Sequence, residues 1–109
     1  MKKELRTYRT KEGKEPFIEW LESLKDISGR AHITNCLNRI VLGNYGDYKS
    51  VGEGVLELRI HYGPGYRVYF SEQENTILLL LLGGSKCTQN RDIKKAKGYL
   101  AEFRERCYD

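Results

Sequence analysis

The sequence is poor in side chains that bind metals or form cross-links. Its 109 residues include two histidines, His32 and His61, which complete no zinc-binding pattern. The three cysteines, Cys36, Cys87 and Cys107, contain no CxxC pair. Their odd number, together with the absence of a secretory signal, predicts free thiols in a reducing cytoplasm. The composition therefore argues against a secreted disulfide scaffold and against a zinc protein.

Long apolar runs are also absent. The longest continuous run, Ile77–Leu82, has six residues, whereas a helix that crosses a bilayer needs about 20. We therefore expect no association with a membrane. No internal repeat, low-complexity tract or interdomain linker interrupts the chain. With 39% hydrophobic and 31% charged residues, the composition predicts one globular domain that spans residues 1–109.

The chain carries a small excess of positive charge. Nineteen lysines and arginines against fifteen acidic residues give a formal net charge of +4 and a pI near 9.0. This balance favours an acidic partner, such as a nucleic acid or an acidic protein, without distinguishing between them.

Residues 55–86 predict three consecutive strands. Apolar and polar residues alternate from Leu56 to Tyr62, which is the period of a half-buried strand. Gly-Pro-Gly at positions 63–65 predicts a turn, and the alternation resumes over residues 66–71. A polar turn at 72–75 precedes Ile77–Leu82. Because that segment is apolar throughout, we expect a strand that is covered on both faces.

The alternation also predicts how the first two strands pair. If Tyr62 lies opposite Tyr66, every apolar side chain falls on one face, whereas a shift of one residue would mix the two faces. Side chains directly opposite each other lie about 4.5–5.5 Å apart at Cβ, so two arginines, a histidine and a tyrosine should crowd the polar face. The predicted polar pairs are His61 with Arg67, Arg59 with Tyr69, and Glu57 with Ser71.

The remaining segments complete an α+β domain. Residues 4–10 predict a strand, and residues 16–25 predict an amphipathic helix that begins at a proline. Ser28 is the predicted N-cap of a second helix that Gly43 ends, and a final helix is expected from about Asn90 to Arg106. The order β-α-α-β-β-β-α predicts a small antiparallel sheet with a two-helix hairpin on one face and a C-terminal helix. The helix residues expected in the core include Phe17, Trp20, Ile33, Leu37, Ile40, Ile93, Ala96 and Leu100.

The polar face of the hairpin has two interpretations. Its residues are either ordinary solvent-facing side chains of an amphipathic sheet or the wall of a cleft that binds an anion. Crowded cations repel unless an anion compensates them; Glu57 could supply part of the compensation and a phosphate more. Arg59 and Arg67 are suited to bidentate phosphate contacts, and His61 can exchange a proton near neutral pH.

Two groups of lysines also have two interpretations, as part of a site or as solvated side chains. Lys86 follows a Gly-Gly break at a strand end, where side chains often project into sites, although a solvated lysine would fit equally well. Lys94 and Lys95 either form a solvated helix face or contact an RNA backbone. Cys87 lacks a histidine partner in the sequence pattern, so we do not expect it to be a nucleophile.

Four segments together resemble one known family. They are ELRTYRT, PFIEWLESLKD, LGNYGDYKSVGEGVLELRIHYGPGYRVYF and LLLLGGSKCTQNRDIKKAK. Taken over nearly the whole chain, they are similar to the RelE/ParE superfamily, and more narrowly to the HigB-like addiction module killer proteins. The resemblance implies the toxin of a type II toxin–antitoxin system, located in the cytoplasm. Its partners would be messenger RNA on the ribosome and an antitoxin, expected to be a helix-turn-helix, HigA-like protein.

The resemblance also implies a reaction and its residues. Such a toxin is an endoribonuclease (an mRNA interferase) that promotes attack of the ribose 2′-OH on the adjacent phosphate, without a metal ion or another cofactor. The transfer needs cations at the phosphate, a base and an acid. We expect catalytic roles for Arg67, Arg59, Lys86 and His61. Substrate-binding roles are expected for Tyr69, Gln89, Asp92, Lys94 and Lys95.

One position departs from the family pattern, and two alternative functions stay open. Ser85 stands where the family commonly has an aspartate after Gly-Gly, which removes a carboxylate beside Lys86. The same superfamily includes ParE-like gyrase poisons, which act through protein contacts and lack the basic catalytic set. A degenerate toxin that only binds its antitoxin is the other alternative.

Overall fold

The computed structural model describes residues 2–108, except for the side chains of residues 107 and 108. The predicted free thiol of Cys107 therefore lies outside the described residues. Within residues 2–108 the chain forms five strands, three α-helices and one short 3₁₀ helix, Lys86–Thr88. The strands are β1 (Glu4–Thr7), β2 (Tyr48–Gly52), β3 (Val55–Ile60), β4 (Tyr66–Gln73) and β5 (Ile77–Ser85), and the helices are α1 (Pro16–Ser23), α2 (Ile27–Val41) and α3 (Gln89–Tyr108).

The strands form one sheet in the order β1-β5-β4-β3-β2. The α+β class is confirmed, but the prediction of a purely antiparallel sheet is wrong, because β1 runs parallel to β5. Alternation identifies a strand and says nothing about the direction of its neighbour. A few extended residues are expected around residues 48–51, but the predicted order omits the strand β2, because four of its five residues are exposed and create no apolar pattern.

The two faces of the sheet carry separate apolar clusters. Residues of α1 and α2 pack on one face, against alternate residues of β3, β4 and β5. Helix α3 covers the other face. As predicted, β5 is buried on both sides: Leu78 and Leu80 belong to the first cluster, and Leu79 and Leu81 to the second. We call these surfaces the α1/α2 face and the α3 face.

The strands β3 and β4 pair two residues away from the predicted register. Leu58 lies opposite Val68 and Arg59 opposite Arg67, so the predicted opposition of His61 and Arg67 is wrong. A shift of two residues preserves the faces, which is why alternation could not detect it. The connecting loop spans residues 61–65 and is longer than expected. Gly63 and Gly65 in this loop both adopt positive φ, and the Gly65 N–H donates to the Tyr62 carbonyl at 3.1 Å.

The helix boundaries follow local signals, with one correction. A proline opens α1, as predicted. The N-cap of α2 is Asp26, not Ser28, and the Asp26 side chain accepts a hydrogen bond from the Gly29 N–H at 3.0 Å. Both residue types cap helices, so composition alone did not choose between them. No helix in the described part of the chain is long and apolar enough to cross a membrane.

A β-bulge interrupts the pairing of β4 with β5. The pairing shifts between Tyr69 and Phe70, so that Tyr69 lies opposite Leu82 while Phe70 lies opposite Leu80. Beyond this bulge, Gly83 approaches Trp20 of α1, and the next residue, Gly84, approaches Asp92 of α3. The missing side chains at both positions let helices approach the sheet closely.

Candidate anion-binding cleft

An open cleft of about 660 Å³ lies where β3 and β5 end and β4 begins. Its walls are the ends of these strands, the loop 61–65 and the start of α3. We call it the anion cleft. The side chains that line it are Arg59, His61, Tyr62, Pro64, Arg67, Lys86 and Gln89. The structure therefore brings together all four residues for which we expected catalytic roles, and Gln89 with them.

Two opposed arginines form the charged wall of the cleft. Arg59 and Arg67 are direct partners in the β3–β4 ladder, which places their Cβ atoms about 4.5–5.5 Å apart. Arg67 is only 7% exposed, and its Nε has no hydrogen-bond partner among the described residues. Its Nη1 makes only a long contact, 3.5 Å, with the Tyr66 carbonyl. Buried donors nearly always have a hydrogen-bond acceptor. The Arg67 guanidinium is therefore available to bind an acceptor that a ligand supplies.

Glu57 is the partner of the other arginine and is completely buried. Its carboxylate accepts from the Arg59 Nε at 3.1 Å, from the Tyr69 hydroxyl at 3.2 Å and from the Gln89 Nε2 at 2.8 Å. The prediction that Glu57 compensates part of the arginine charge is confirmed for Arg59. The structure gives no ion pair to Arg67 among the described residues, so the cleft keeps an uncompensated positive charge.

Tyr69 lies beneath the cleft, not in it. Its side chain is fully buried in the apolar cluster under α3. Burial, and then the neighbouring Glu57 carboxylate, raise the pKa of the Tyr69 phenol well above its ordinary value, so the hydroxyl stays protonated and donates. The residue can therefore hold Glu57 in place, but its buried ring gives a substrate no surface to contact.

Asp92 is likewise buried and acts inside the fold. It is 4% exposed, and its Oδ2 accepts from the Thr88 hydroxyl at 2.5 Å. A Cβ at Gly84 would lie 1.9 Å from that oxygen, so the glycine is what admits the carboxylate to the sheet. Asp92 is not among the residues that line the cleft. Its contacts fix the start of α3, and with it Gln89.

His61 stands at the exposed rim of the cleft. Its side chain is 71% exposed, and its Nε2 lies 2.5 Å from the Asp47 Oδ2. The hydrogen bond with His61 is the main cause that lowers the pKa of the Asp47 carboxyl below its ordinary value. Sequence analysis missed Asp47, although the polar segment before β2 contained it. The Asp47 carbonyl accepts from the Arg59 N–H at 2.8 Å, which holds this segment beside the cleft.

Two contacts fix the loop that forms the outer wall. The ring of Tyr62 stacks on His32 of α2, with ring centres 4.0 Å apart. The backbone N–H of Lys86 donates to the Gly65 carbonyl at 2.9 Å, which joins the loop to the end of β5. The exposed Lys86 side chain therefore projects from an anchored backbone.

Other predicted positions lie outside the cleft. Lys94 and Lys95 are exposed on α3 and do not line it. Cys87 is exposed, next to Lys86, and Cys36 is half-buried in α2; both thiols are free. Arg91 follows Gln89 on α3, and its Nε lies 3.7 Å from Asp92. The cleft thus combines two guanidinium groups, an ammonium group and an imidazole, a set that can bind an anion and exchange a proton.

No model of a known protein family matches the chain. It is 48% identical over 81 residues to an uncharacterized protein of Haemophilus influenzae, and this match covers 74% of the present chain and 82% of that protein. The chain therefore belongs to the same protein family as this uncharacterized Haemophilus influenzae protein.

Proposed function

We propose that the protein is a metal-independent endoribonuclease, the toxin of a type II toxin–antitoxin system that cleaves messenger RNA on the ribosome. The observation that carries the proposal is Arg67. Its guanidinium is almost buried, faces Arg59 across the hairpin and has an Nε that is unpartnered within residues 2–108. A phosphodiester supplies the negative charge and the acceptor oxygens that this pair lacks.

The other residues of the cleft fit the steps of phosphodiester transfer. Arg67 and Arg59 hold the phosphate and stabilise the charge that develops as the 2′-OH attacks. Lys86 stabilises charge or donates the proton to the leaving oxygen. His61 is the base, and Asp47 orients its imidazole through their hydrogen bond. The products are a 2′,3′-cyclic phosphate and a free 5′-hydroxyl.

The fold supports membership of the RelE/ParE superfamily, in its HigB-like branch. Helices α1 and α2 follow one another in sequence and share one face of the sheet, as a two-helix hairpin would, and α3 closes the chain on the other face. A cytoplasmic location and a helix-turn-helix, HigA-like antitoxin belong to this proposal. The antitoxin would silence the toxin by covering the cleft or by blocking its docking on the ribosome.

The test is primer extension on cellular messenger RNA after brief induction of the protein. We expect new 5′ ends inside translated reading frames. Arg67→Ala should reduce this cleavage by about 10²–10³-fold, the usual cost of removing one donor to a transition-state oxyanion. Arg30→Ala is the matched control, because Arg30 is an exposed arginine on α2 that does not line the cleft. Its cleavage should equal that of the wild type.

The proposal fails if transcripts stay intact while the wild-type protein arrests growth. DNA cleavage complexes in such cells would indicate the gyrase-poison alternative. If Arg67→Ala cleaves as fast as the wild type while folded, the nuclease site lies elsewhere on the protein.

A further inference from the structure

Within the part of the chain that the structure describes, Gln89 is the one amide side chain that lines the anion cleft. It is the first residue of α3 and is half-buried between the helix and the sheet. Its Nε2 donates to the Glu57 Oε2 at 2.8 Å. The position of the amide is thus determined by a contact behind the cleft wall.

The chemistry of Glu57 decides which end of the amide faces the cleft. Glu57 forms an ion pair with Arg59, and an ionised carboxylate only accepts hydrogen bonds. Gln89 must therefore turn its NH₂ group toward Glu57. The amide is planar, so its carbonyl oxygen, Oε1, is directed away from the carboxylate and is left to accept a hydrogen bond from a ligand.

Besides the His61 imidazole and the Tyr62 hydroxyl, Gln89 is the acceptor among the described side chains that line this cleft. Arg59, Arg67 and Lys86 offer only donors, which suit phosphate oxygens. A DNA backbone presents only acceptors to such a site, whereas RNA adds a donor, the 2′-OH, next to each phosphate. We infer that, before the transfer begins, Gln89 Oε1 accepts a hydrogen bond from the ribose 2′-OH beside the bound phosphate, and that Gln89 thereby makes the cleft prefer ribose to deoxyribose. The 2′-OH turns from Gln89 to His61 when that base removes its proton. The inference rests on the proposed function and adds the residue that distinguishes the sugar.

The experiment uses probes that the protein cannot cleave. A nucleoside 3′-monophosphate carries the phosphate and the neighbouring 2′-OH but no leaving nucleotide. Binding of the 3′-monophosphates of adenosine, cytidine, guanosine and uridine, and of their 2′-deoxy forms, is measured by NMR titration of backbone amides. We expect the ribo form to bind about threefold to tenfold more tightly, the usual effect of one neutral hydrogen bond.

A matched pair of variants assigns the preference to Gln89. Gln89→Met keeps the length of the side chain but removes the whole amide, including the acceptor Oε1. This variant should therefore bind the ribo and deoxy nucleotides equally. Gln73→Met makes the same change near the far end of β4, where Gln73 donates to Ser71 and does not line the cleft. This control should keep the preference for ribose.

A third probe tests the inference without any variant. A 2′-fluoro-2′-deoxynucleoside 3′-monophosphate keeps an electronegative group but has no donor, so with the wild-type protein it should bind like the deoxy form. The inference is overturned if the fluoro form binds like the ribo form, if the wild type binds ribo and deoxy forms equally, or if Gln89→Met keeps the preference. In those cases the phosphate site still stands. If neither the nucleotides nor inorganic phosphate perturb the cleft, the anion site of the proposed function fails as well.

Discussion

The two faces of the sheet differ in what they bury. The α1/α2 face is packed by an apolar cluster that includes Phe17, Ile33 and Val68. The α3 face is apolar only over part of its length. Near the end of β3 and the start of β4 it buries Glu57, Arg67 and Asp92 instead. Burying charges is costly unless they are paired. We conclude that the α1/α2 face mainly stabilises the fold, and that the α3 face is less stabilising because it holds the charged residues of the anion cleft.

Two neighbouring residues on β3 test this difference between the faces. Glu57 faces α3 and Leu58 faces α1 and α2, and both are almost completely buried. Leu58→Ala should lower the free energy of unfolding by about 3 kcal/mol, the typical cost of a core cavity. Glu57→Ala should cost a similar amount, about 3 kcal/mol, because Arg59 loses its partner and Tyr69 and Gln89 lose their acceptor.

The two variants should differ in activity, not in stability. At a temperature where both are folded, we expect Leu58→Ala to cleave messenger RNA like the wild type. Glu57→Ala should lose about 10²-fold, because Arg59 and Gln89 are no longer held in position. Urea unfolding and primer extension measure the two quantities. Equal activity in both variants would mean that Glu57 serves only the fold.

Adjacent glycines on β5 offer a second matched pair with a smaller effect. A Cβ at Gly83 would lie 2.1 Å from the ring of Trp20, and a Cβ at Gly84 would lie 1.9 Å from the Asp92 carboxylate. Alanine at either position should destabilise the protein by about 1–3 kcal/mol through overpacking. Because Gly84→Ala displaces the start of α3, it alone should also weaken binding of phosphate to the cleft, measured by NMR titration. Equal phosphate binding by both variants would contradict this.

The buried Tyr69 on the α3 face makes the stability of the protein depend on pH. Burial and the Glu57 carboxylate raise the pKa of Tyr69 above its ordinary value, so the phenol ionises in the unfolded chain at a pH where it is still neutral in the fold. Stability is therefore complete below about pH 10, the pKa of the unfolded group, and falls as the pH rises further. Similar shifts at Tyr8, Tyr45 and Tyr66 act in the same direction.

Tyr69→Phe isolates one part of that pH dependence. It should cost about 1 kcal/mol at neutral pH, because Glu57 loses a hydrogen bond. The fall in the free energy of unfolding above about pH 10 should become less steep than in the wild type, since one titrating group is gone. Urea unfolding at a series of alkaline pH values measures the slope. An unchanged slope would show that Tyr69 does not contribute to alkaline unfolding.

The smallest effect on stability is expected outside the sheet, at Lys94 and Lys95. Both are exposed, so replacing them with alanine should change the free energy of unfolding by less than about 0.5 kcal/mol. If they contact RNA phosphates, each should contribute about 0.7 to the slope of log affinity against log salt concentration. We expect the double variant to lower that slope for RNA binding, and Lys25→Ala, an exposed lysine before α2, to leave it unchanged. An unaffected slope in the double variant would identify a solvated helix face.

Short-range signals in the chain were sufficient to predict most of the fold. The alternation in β3 and β4 predicted which side chains share a face, and the apolar run of β5 predicted burial on both sides. The same alternation could not exclude a shift of two residues, so Arg67 proved to lie opposite Arg59 instead of His61. Nor could it predict that β1 lies parallel to β5.

The candidate site was only partly predictable for the same reason. The residue types Arg59, Arg67 and Lys86 indicated an anion site because their charges are crowded on one hairpin and one strand end. The partners that give the site its geometry lie far away in the chain: Gln89 is 32 residues from Glu57, and Asp47 is 14 residues from His61. No local pattern links such positions.

The sequence by itself determined the faces, because side chains alternate with a period of two along a strand. It also determined where the helices lie and which segment carries the positive charge. Only the tertiary structure decided that Arg67 is buried without an acid partner among the described residues. It also decided that Glu57 neutralises Arg59 and orients Gln89, and that the Asp92 carboxylate packs against Gly84 of the sheet. Each of these depends on the register of two strands and on where a helix meets them. The packing of the whole domain sets both the register and the position of the helix.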